Sequence, residues 1–320
     1  MGRLAKGFST TTRPSEMIAF LYREEIDDDK WNFCIKRSKQ SRIYAQSWYL
    51  DCVAENWGAL VLNDYEAVMP LPYKRKFGIF YVYPPYFTQQ LGVFSVGNLD
   101  EELIEAFLDK IPKKFKLKEL YLNSHNAVPQ SWESTQRLNL VLPLSGVNYE
   151  QLQAGYKKQI QRNIKKAEKA KLSIMRDNNP DGAVQLFQST KGLELEGLNQ
   201  ADYDRLKQVL HAAVYYKQAD LWTVYDEKNQ PIAAAAFLVF QERVTLILSA
   251  ATQEAKECGA MSLLIHKVIE ESLGYMKTFD FEGSAIPGLK RFYEGFGAVE
   301  ENYHFIRSSS LPFWIRLFKK

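Results

Sequence analysis

Two side chains near the C-terminal end carry groups suited to proton transfer, Glu282 and Tyr293. Glu282 lies in Asp280-Phe-Glu-Gly-Ser284, where a strand-like run gives way to a glycine-containing turn. Ligands of open α/β sheets bind beyond such strand ends. A carboxylate there could take a proton from an attacking amine. Tyr293 follows in Ile286-Pro-Gly-Leu-Lys-Arg-Phe-Tyr-Glu-Gly-Phe-Gly-Ala298 and could protonate a leaving thiolate. Each has a plainer alternative: Glu282 caps the next helix, and Tyr293 is core.

A second segment, Ser249-Ala-Ala-Thr-Gln-Glu-Ala-Lys-Glu-Cys-Gly-Ala-Met-Ser262, reads as a strand end, a small-residue loop and a helix start. Free N–H groups at such a start attract phosphates, and the pyrophosphate of coenzyme A would suit the place. Ala251, Thr252, Gly259, Ala260 and Ser262 are the candidate contacts. Packing of a helix on a strand explains the same residues. A third segment, Asn148 to Lys171, opens with a capping box made by Asn148 and Gln151. Tyr149, Leu152, Tyr156, Ile160, Ile164 and Ala167 then fall on one helical stripe, with Lys158, Arg162, Lys165 and Lys169 opposite. That basic side is either a solvated face or an anion-binding surface for the phosphates of a substrate or of tRNA. Lys110 to Lys118 is a second basic cluster, which reads first as a solvated loop after a helix.

The elements that must position these residues fall into two halves. The first has a strand at Met17 to Tyr22, and a helix after the caps Asp27 to Asp29. A second helix covers Ile43 to Glu55, and strands follow at Gly58 to Leu62, Tyr65 to Pro70 and Gly78 to Val82. Prolines interrupt the chain at Tyr83-Pro84-Pro85-Tyr86. A helix at Glu101 to Lys110 and strands at Glu119 to Asn123 and Arg137 to Leu142 complete this half. The second half has a strand at Lys171 to Arg176 and helices at Asp181 to Lys191 and Ala201 to Lys217. Strands at Leu221 to Asp226, Ile232 to Gln241 and Arg243 to Ala250 follow, with a turn near Asn229. A helix at Gly259 to Met276, a strand at Thr278 to Phe281, a helix at Gly288 to Phe296 and a strand at Tyr303 to Arg307 close it. Both halves share one element order, a mixed α/β layout. The domains are expected at 17–145 and 146–307, with a flexible extension over 1–16 and a tail over 308–320.

Composition narrows the function. The chain has 320 residues, 46% of them hydrophobic and 25% charged, which excludes a disordered or fibrous protein. A net charge of +3 is too balanced for an obligate DNA binder. Three cysteines without a C-x-x-C and four histidines without a ligand spacing support neither a disulfide framework nor a metal site. A cytoplasmic protein is the simplest reading. The longest apolar run, Ile232 to Phe240, falls far short of the ~20 residues that span a bilayer. Leu311-Pro-Phe-Trp-Ile-Arg-Leu-Phe-Lys-Lys320 mixes aromatic and basic residues. It could pack on the first domain or lie on the inner membrane face as a peripheral contact.

The second half resembles the GNAT acyltransferase superfamily. Lys157-Lys-Gln-Ile-Gln-Arg-Asn-Ile-Lys-Lys-Ala-Glu-Lys169 is similar to the basic helix that opens the second domain of FemABX-like proteins. Phe281-Glu-Gly-Ser284 followed by Arg291-Phe-Tyr-Glu-Gly-Phe-Gly297 resembles that family's closing motif. Tyr83-Pro-Pro-Tyr-Phe-Thr-Gln-Gln-Leu-Gly92 is similar to its first domain. The resemblance spans 17–307 and implies two GNAT-like domains in tandem, as in FemABX-like and BioF2-like acyltransferases. It implies transfer of an acyl group from acyl-CoA to the amine of a small-molecule or lipid-linked acceptor, without a metal. Lys158, Arg162, Tyr86, Gln89 and Arg291 are then the candidate acceptor contacts. A FemABX-type transfer from aminoacyl-tRNA to a peptidoglycan precursor is the second reading, and a non-catalytic binding module the third. The chain departs from the peptidoglycan enzymes in two places. Tyr293 stands where they tend to carry lysine, and Lys191 to Gln200 is too short for a helical tRNA arm.

Overall fold

A computed structural model describes residues 17–190, 192, 197–283 and 286–311. The N-terminal extension and the tail beyond Leu311 lie outside the described residues, as does most of the segment 191–196. The first half runs β1 (Ile18–Tyr22), α1 (Asp28–Arg37), α2 (Ser47–Val53), β2 (Asn56–Leu62), β3 (Ala67–Lys76), β4 (Ile79–Val82), β5 (Phe94–Ser95), α3 (Glu101–Asp109), β6 (Phe115–Leu122) and β7 (Glu133–Arg137). The second runs β8 (Leu140–Pro143), α4 (Tyr149–Gly155), α5 (Lys158–Lys169), β9 (Ser173–Asp177), α6 (Pro180–Ser189), α7 (Gln200–Tyr215), β10 (Ala219–Tyr225), β11 (Pro231–Phe240) and β12 (Arg243–Ala251). It continues with α8 (Gln253–Cys258), α9 (Ala260–Ser272), β13 (Thr278–Asp280), α10 (Pro287–Glu294), β14 (Val299–Glu300) and β15 (Tyr303–Ser309).

Two mixed sheets result. The first has the order β1-β2-β3-β4-β6-β15-β7, with β5 beside β3, and the second β14-β8-β13-β12-β11-β10-β9. Each holds one parallel pair, β4 with β6 and β12 with β13. β11 is covered on both faces. Ala234, Ala236 and Leu238 face a core shared with Trp31, Tyr49, Leu206 and Leu210, while Ala233, Ala235 and Phe237 face one shared with Leu264 and Phe279. A strand covered on both sides reads as the unbroken apolar run seen in the sequence. The core around Trp31 therefore joins residues of both halves.

Several elements differ from the sequence reading, each for a visible reason. The helix expected over Asn148 to Lys171 is two helices. Its capping box is present, but Tyr156 and Lys157 turn extended between α4 and α5. There the Lys157 N–H donates to the Gly295 carbonyl at 2.8 Å, and the Tyr156 hydroxyl meets His266 Nδ1 at 3.2 Å. The helix expected from Gly259 is preceded by the short α8, and Gly259 at φ +83° joins the two. The strand expected at Arg137 to Leu142 divides between the sheets, as β7 and β8. The last strand, β15, lies between β6 and β7 in the first sheet, although its sequence follows the second half.

These last two differences are one feature. β7 pairs with β15, and β8 pairs with β14, in a single antiparallel register. Residues 133–141 and 299–307 thus form one continuous ribbon that passes from one sheet to the other. At its waist Asn139 stands opposite Glu301, whose N–H donates to the Asn139 carbonyl at 3.0 Å.

A buried charge cluster clamps this waist. Arg243, at the start of β12, holds Glu301 at 2.8 Å and Asp280 at 2.6 Å. Arg42 of the first half reaches Glu301 at 3.4 Å and Ser124 at 2.9 Å. The Asp280 side chain is 1% exposed and that of Arg42 3%. Burial opposes the charge on Arg243, but its two carboxylates hold its pKa above the usual guanidinium value. Burial and the neighbouring charge of Arg243 lower Arg42 to about 10. Removing one member of such a cluster strands the others. Arg243→Ala is expected to cost about 3–5 kcal/mol in urea unfolding, whereas Lys30→Ala, which breaks the exposed pair with Asp64, should leave the midpoint unmoved.

Candidate active site

Four of the residues singled out from sequence meet around one cavity. Ala251 ends β12, Gly259 and Ser262 flank the start of α9, and Tyr293 comes from α10. They line a volume of about 320 Å³ together with Asn163 of α5, Ser249 and Lys256. Gly259 is required at this point. A Cβ there would lie 2.5 Å from the carbonyl oxygen of Asn163, so only glycine lets α5 approach the α8–α9 junction. The start of α9 has no side-chain cap, so its first N–H groups give the cavity a partial positive wall. Ala260 is buried beneath that turn. The Thr252 hydroxyl is used otherwise, accepting from the Ala255 N–H as the cap of α8.

The cavity opens where β12 and β13 part. They pair only from Arg243 with Thr278 to Thr245 with Asp280, after which β12 runs on to Ala251 without β13. A bulge in β12 near Ile247, opposite Ala236 and Phe237, adds to the divergence. Tyr293 stands beside the gap. Its ring stacks on Phe281 at 4.7 Å, and it shares the cavity lining with Ser249. Burial pushes its pKa up to about 12, with the neighbouring Ser249 hydroxyl opposing and the charge of Glu282 adding. It is thus a core residue and a cavity wall at once.

Glu282 does not line the cavity and faces the first half, where it meets Tyr44. It does not cap α10, whose N-cap is Ile286 without a side-chain bond. Its backbone is left-handed at φ +57°, followed by Gly283 at +48°. A Cβ on Gly283 would lie 2.4 Å from the Leu138 carbonyl oxygen and 2.7 Å from Asn139 Cα. The turn is therefore pressed against the ribbon's waist. The Glu282 N–H donates to Asp280 at 2.9 Å, and its carboxylate accepts from the hydroxyl of Tyr44, a first-half residue. Burial raises the carboxyl to about 8, the Tyr44 bond opposing it and the charge of Asp280 adding to it.

The remaining candidates lie apart from the cavity. Lys158 and Arg162 sit on the exposed face of α5, and Arg291 is exposed on α10. Gln89 is buried between the halves, its side-chain amide 3.3 Å from Asn139. Tyr86 is exposed, with its hydroxyl donating to the Gly197 carbonyl at 3.3 Å. Tyr44, Asn163, Arg243 and Glu301 were not legible as site residues. Tyr44 meets Glu282 across 238 positions of sequence.

Comparison with known proteins fits this geometry. Residues 154–291 match the acetyltransferase (GNAT) domain family. No curated protein matches the chain in sequence. Its structure is similar to that of FemX, with a TM-score of 0.64 and 12% identity over 90% of this chain and 97% of that one. It also resembles a tandem GNAT protein from the clavulanic acid biosynthesis pathway, at 0.55 and 10% over 92% and 99%. The C-terminal domain of a putative lysylphosphatidylglycerol synthetase from Agrobacterium fabrum matches at 0.56 and 10%, over 92% and 95%. The resemblance read from the basic helix and closing motif is borne out. The second half carries a GNAT domain, and the whole chain has the tandem GNAT fold.

The strained turn and raised carboxyl give a paired expectation. The unfolded chain releases the Glu282 proton near the ordinary glutamate value, while the folded chain keeps it to about pH 8. Between those values the unfolded state binds fewer protons, so stability falls as pH rises. Glu282→Gln removes this loss. Its melting temperature should match the parent near about pH 5 and exceed it near about pH 9. Gly283→Ala should destabilise at both, by at least about 1–3 kcal/mol.

Proposed function

We propose that this protein transfers an acyl group from acyl-CoA to the amine of an acceptor held between its two halves. The observation that carries this reading is the cavity at the parting of β12 and β13, walled by the uncapped start of α9 and by Tyr293. The pyrophosphate sits at the first turn of α9, with Lys256 beside it. The thioester reaches the gap between the strands, where backbone N–H groups of β12 beyond its pairing with β13 hold the developing oxyanion.

The reaction needs no covalent enzyme intermediate. The acceptor amine attacks the thioester carbon, forming a C–N bond, and Glu282 takes the proton it loses. A carboxylate with a pKa of about 8 is a better base than an ordinary one. The C–S bond then breaks and the electron pair leaves on sulfur. Thiols ionise near about 8.5, so Tyr293, at about 12, holds its proton and steadies the sulfur by a hydrogen bond. The proton on Glu282 is released to solvent and the thiolate is protonated in turn. Tyr44 is a positioning residue that orients the Glu282 carboxylate. Lys158, Arg162, Arg291, Tyr86 and Gln89 remain proposed acceptor contacts at the edges of the cleft.

The resemblance of the basic helix and the closing motif to FemABX-like proteins supports a second donor, aminoacyl-tRNA, with a peptidoglycan precursor as acceptor. The neutral Tyr293 favours the thioester, because the ester of a tRNA leaves as a more basic alkoxide.

Calorimetric titration with acetyl-CoA and a long-chain acyl-CoA tests the donor. Micromolar binding is expected, weakened at least tenfold (about 1.4 kcal/mol) by Gly259→Ala. Heat from neither donor would overturn the reading and turn attention to charged tRNA. With an acceptor in hand, the rate should rise with pH through about 8. In Tyr44→Phe the same rise should move to higher pH, because the hydrogen bond that favours the carboxylate is gone.

A further inference from the structure

One end of the first sheet is strongly basic, carries one fully exposed aromatic, and takes no part in the reaction above. β3 and β4 turn through Phe77 and Gly78, both left-handed, at φ +51° and +79°. Phe77 is 91% exposed, the most of any large apolar side chain among the described residues. Lys74, Arg75 and Lys76 lead into it. β6 starts beside the same hairpin, with Phe115 paired to Phe80, and brings Lys113, Lys114 and Lys116. Neither residues 73–82 nor residues 110–118 include an acidic side chain.

The charges are mounted on an aromatic floor. Lys114 Nζ donates to the Tyr22 hydroxyl at 2.8 Å and stands 4.3–5.1 Å over the rings of Tyr22, Phe20 and Phe115. β15 also ends here. Ser309 pairs with Leu117, and the Ser310 N–H donates to the Lys116 carbonyl at 2.8 Å.

We propose that this end of the first sheet docks on an anionic phospholipid bilayer. Phe77 enters the headgroup–acyl boundary and the surrounding cations meet lipid phosphates. Among the described residues no helix is long and apolar enough to cross a membrane. A nucleic acid would meet the same charge. Single strands, however, are held by several exposed rings in a groove, whereas here Phe77 projects from a hairpin turn and Tyr22, 42% exposed, has its face covered by Lys114. The inference stands apart from the identity of the acyl donor.

The test is co-sedimentation of the full chain with vesicles of phosphatidylcholine, alone or mixed with phosphatidylglycerol. Retention on the mixed vesicles only, falling with added salt, is expected. Phe77→Ser should weaken it about tenfold, and Lys74→Ala with Lys76→Ala should weaken it further. Both changes are at exposed or half-buried positions, and an unchanged thermal midpoint will show that the fold is kept. No retention, equal retention on both vesicle types, or retention indifferent to Phe77→Ser would overturn the proposal. So would displacement of the protein from the vesicles by tRNA that binds the Phe77→Ser variant equally well.

Discussion

The contact between Arg243 and its two carboxylates, Asp280 and Glu301, fixes the rest of the molecule. Charges withdrawn from water to this extent are tolerable only when they are paired. Each partner comes from a different element: Arg243 from β12, Asp280 from β13, Glu301 from the ribbon's waist. Arg42 adds the first half. The cluster therefore specifies where two strands begin to pair, where the ribbon crosses, and how the halves meet. A hydrophobic contact could stabilise the same junction but would tolerate sliding.

The site inherits its geometry from that junction. β13 is tied to β12 only over the three residues next to the cluster, and the strands part beyond it. Asp280 serves both ends, accepting from Arg243 on one side and from the Glu282 N–H on the other. The left-handed turn at Glu282 and Gly283 is held against Leu138 and Asn139, so its strain is opposed by packing on the waist. A carboxyl enclosed there, bonded to a tyrosine of the other half, is both raised in pKa and fixed in direction. The site is therefore in two parts, a cavity on the α9 side and a carboxyl facing the first half.

Much of this was legible locally. The run Ile232 to Phe240 reads as a strand because it is covered on both faces. The turn near Asn229 is confirmed by its φ of +58°. Asn148 and Gln151 cap a helix as their spacing requires. The segments around Gly259, Glu282 and Tyr293 stood out because glycine and polar residues interrupt apolar periodicity there. What escaped notice has no local signature. Arg137 to Leu142 is extended throughout, so nothing within it records a change of sheet at Leu138 and Asn139. Tyr44 is an ordinary aromatic until the halves pack. Arg243 begins a strand as any solvated arginine could.

The place of β15 bears on how the chain reaches this state. It is inserted between β6 and β7 of the first sheet, although it starts at Tyr303 and they start at Phe115 and Glu133. Until that strand arrives, β6 is an edge of the first sheet with an unsatisfied backbone row, and β7, which pairs only with β15, has no partner in it. The first half, although made first, is then an unfinished unit waiting for the second. Folding of the two halves is coupled by order of synthesis as well as by contact, and such long-range closure is slow. The interval between the emergence of β7 and that of β15 is the period in which the nascent chain is most exposed to pairing with another copy of itself.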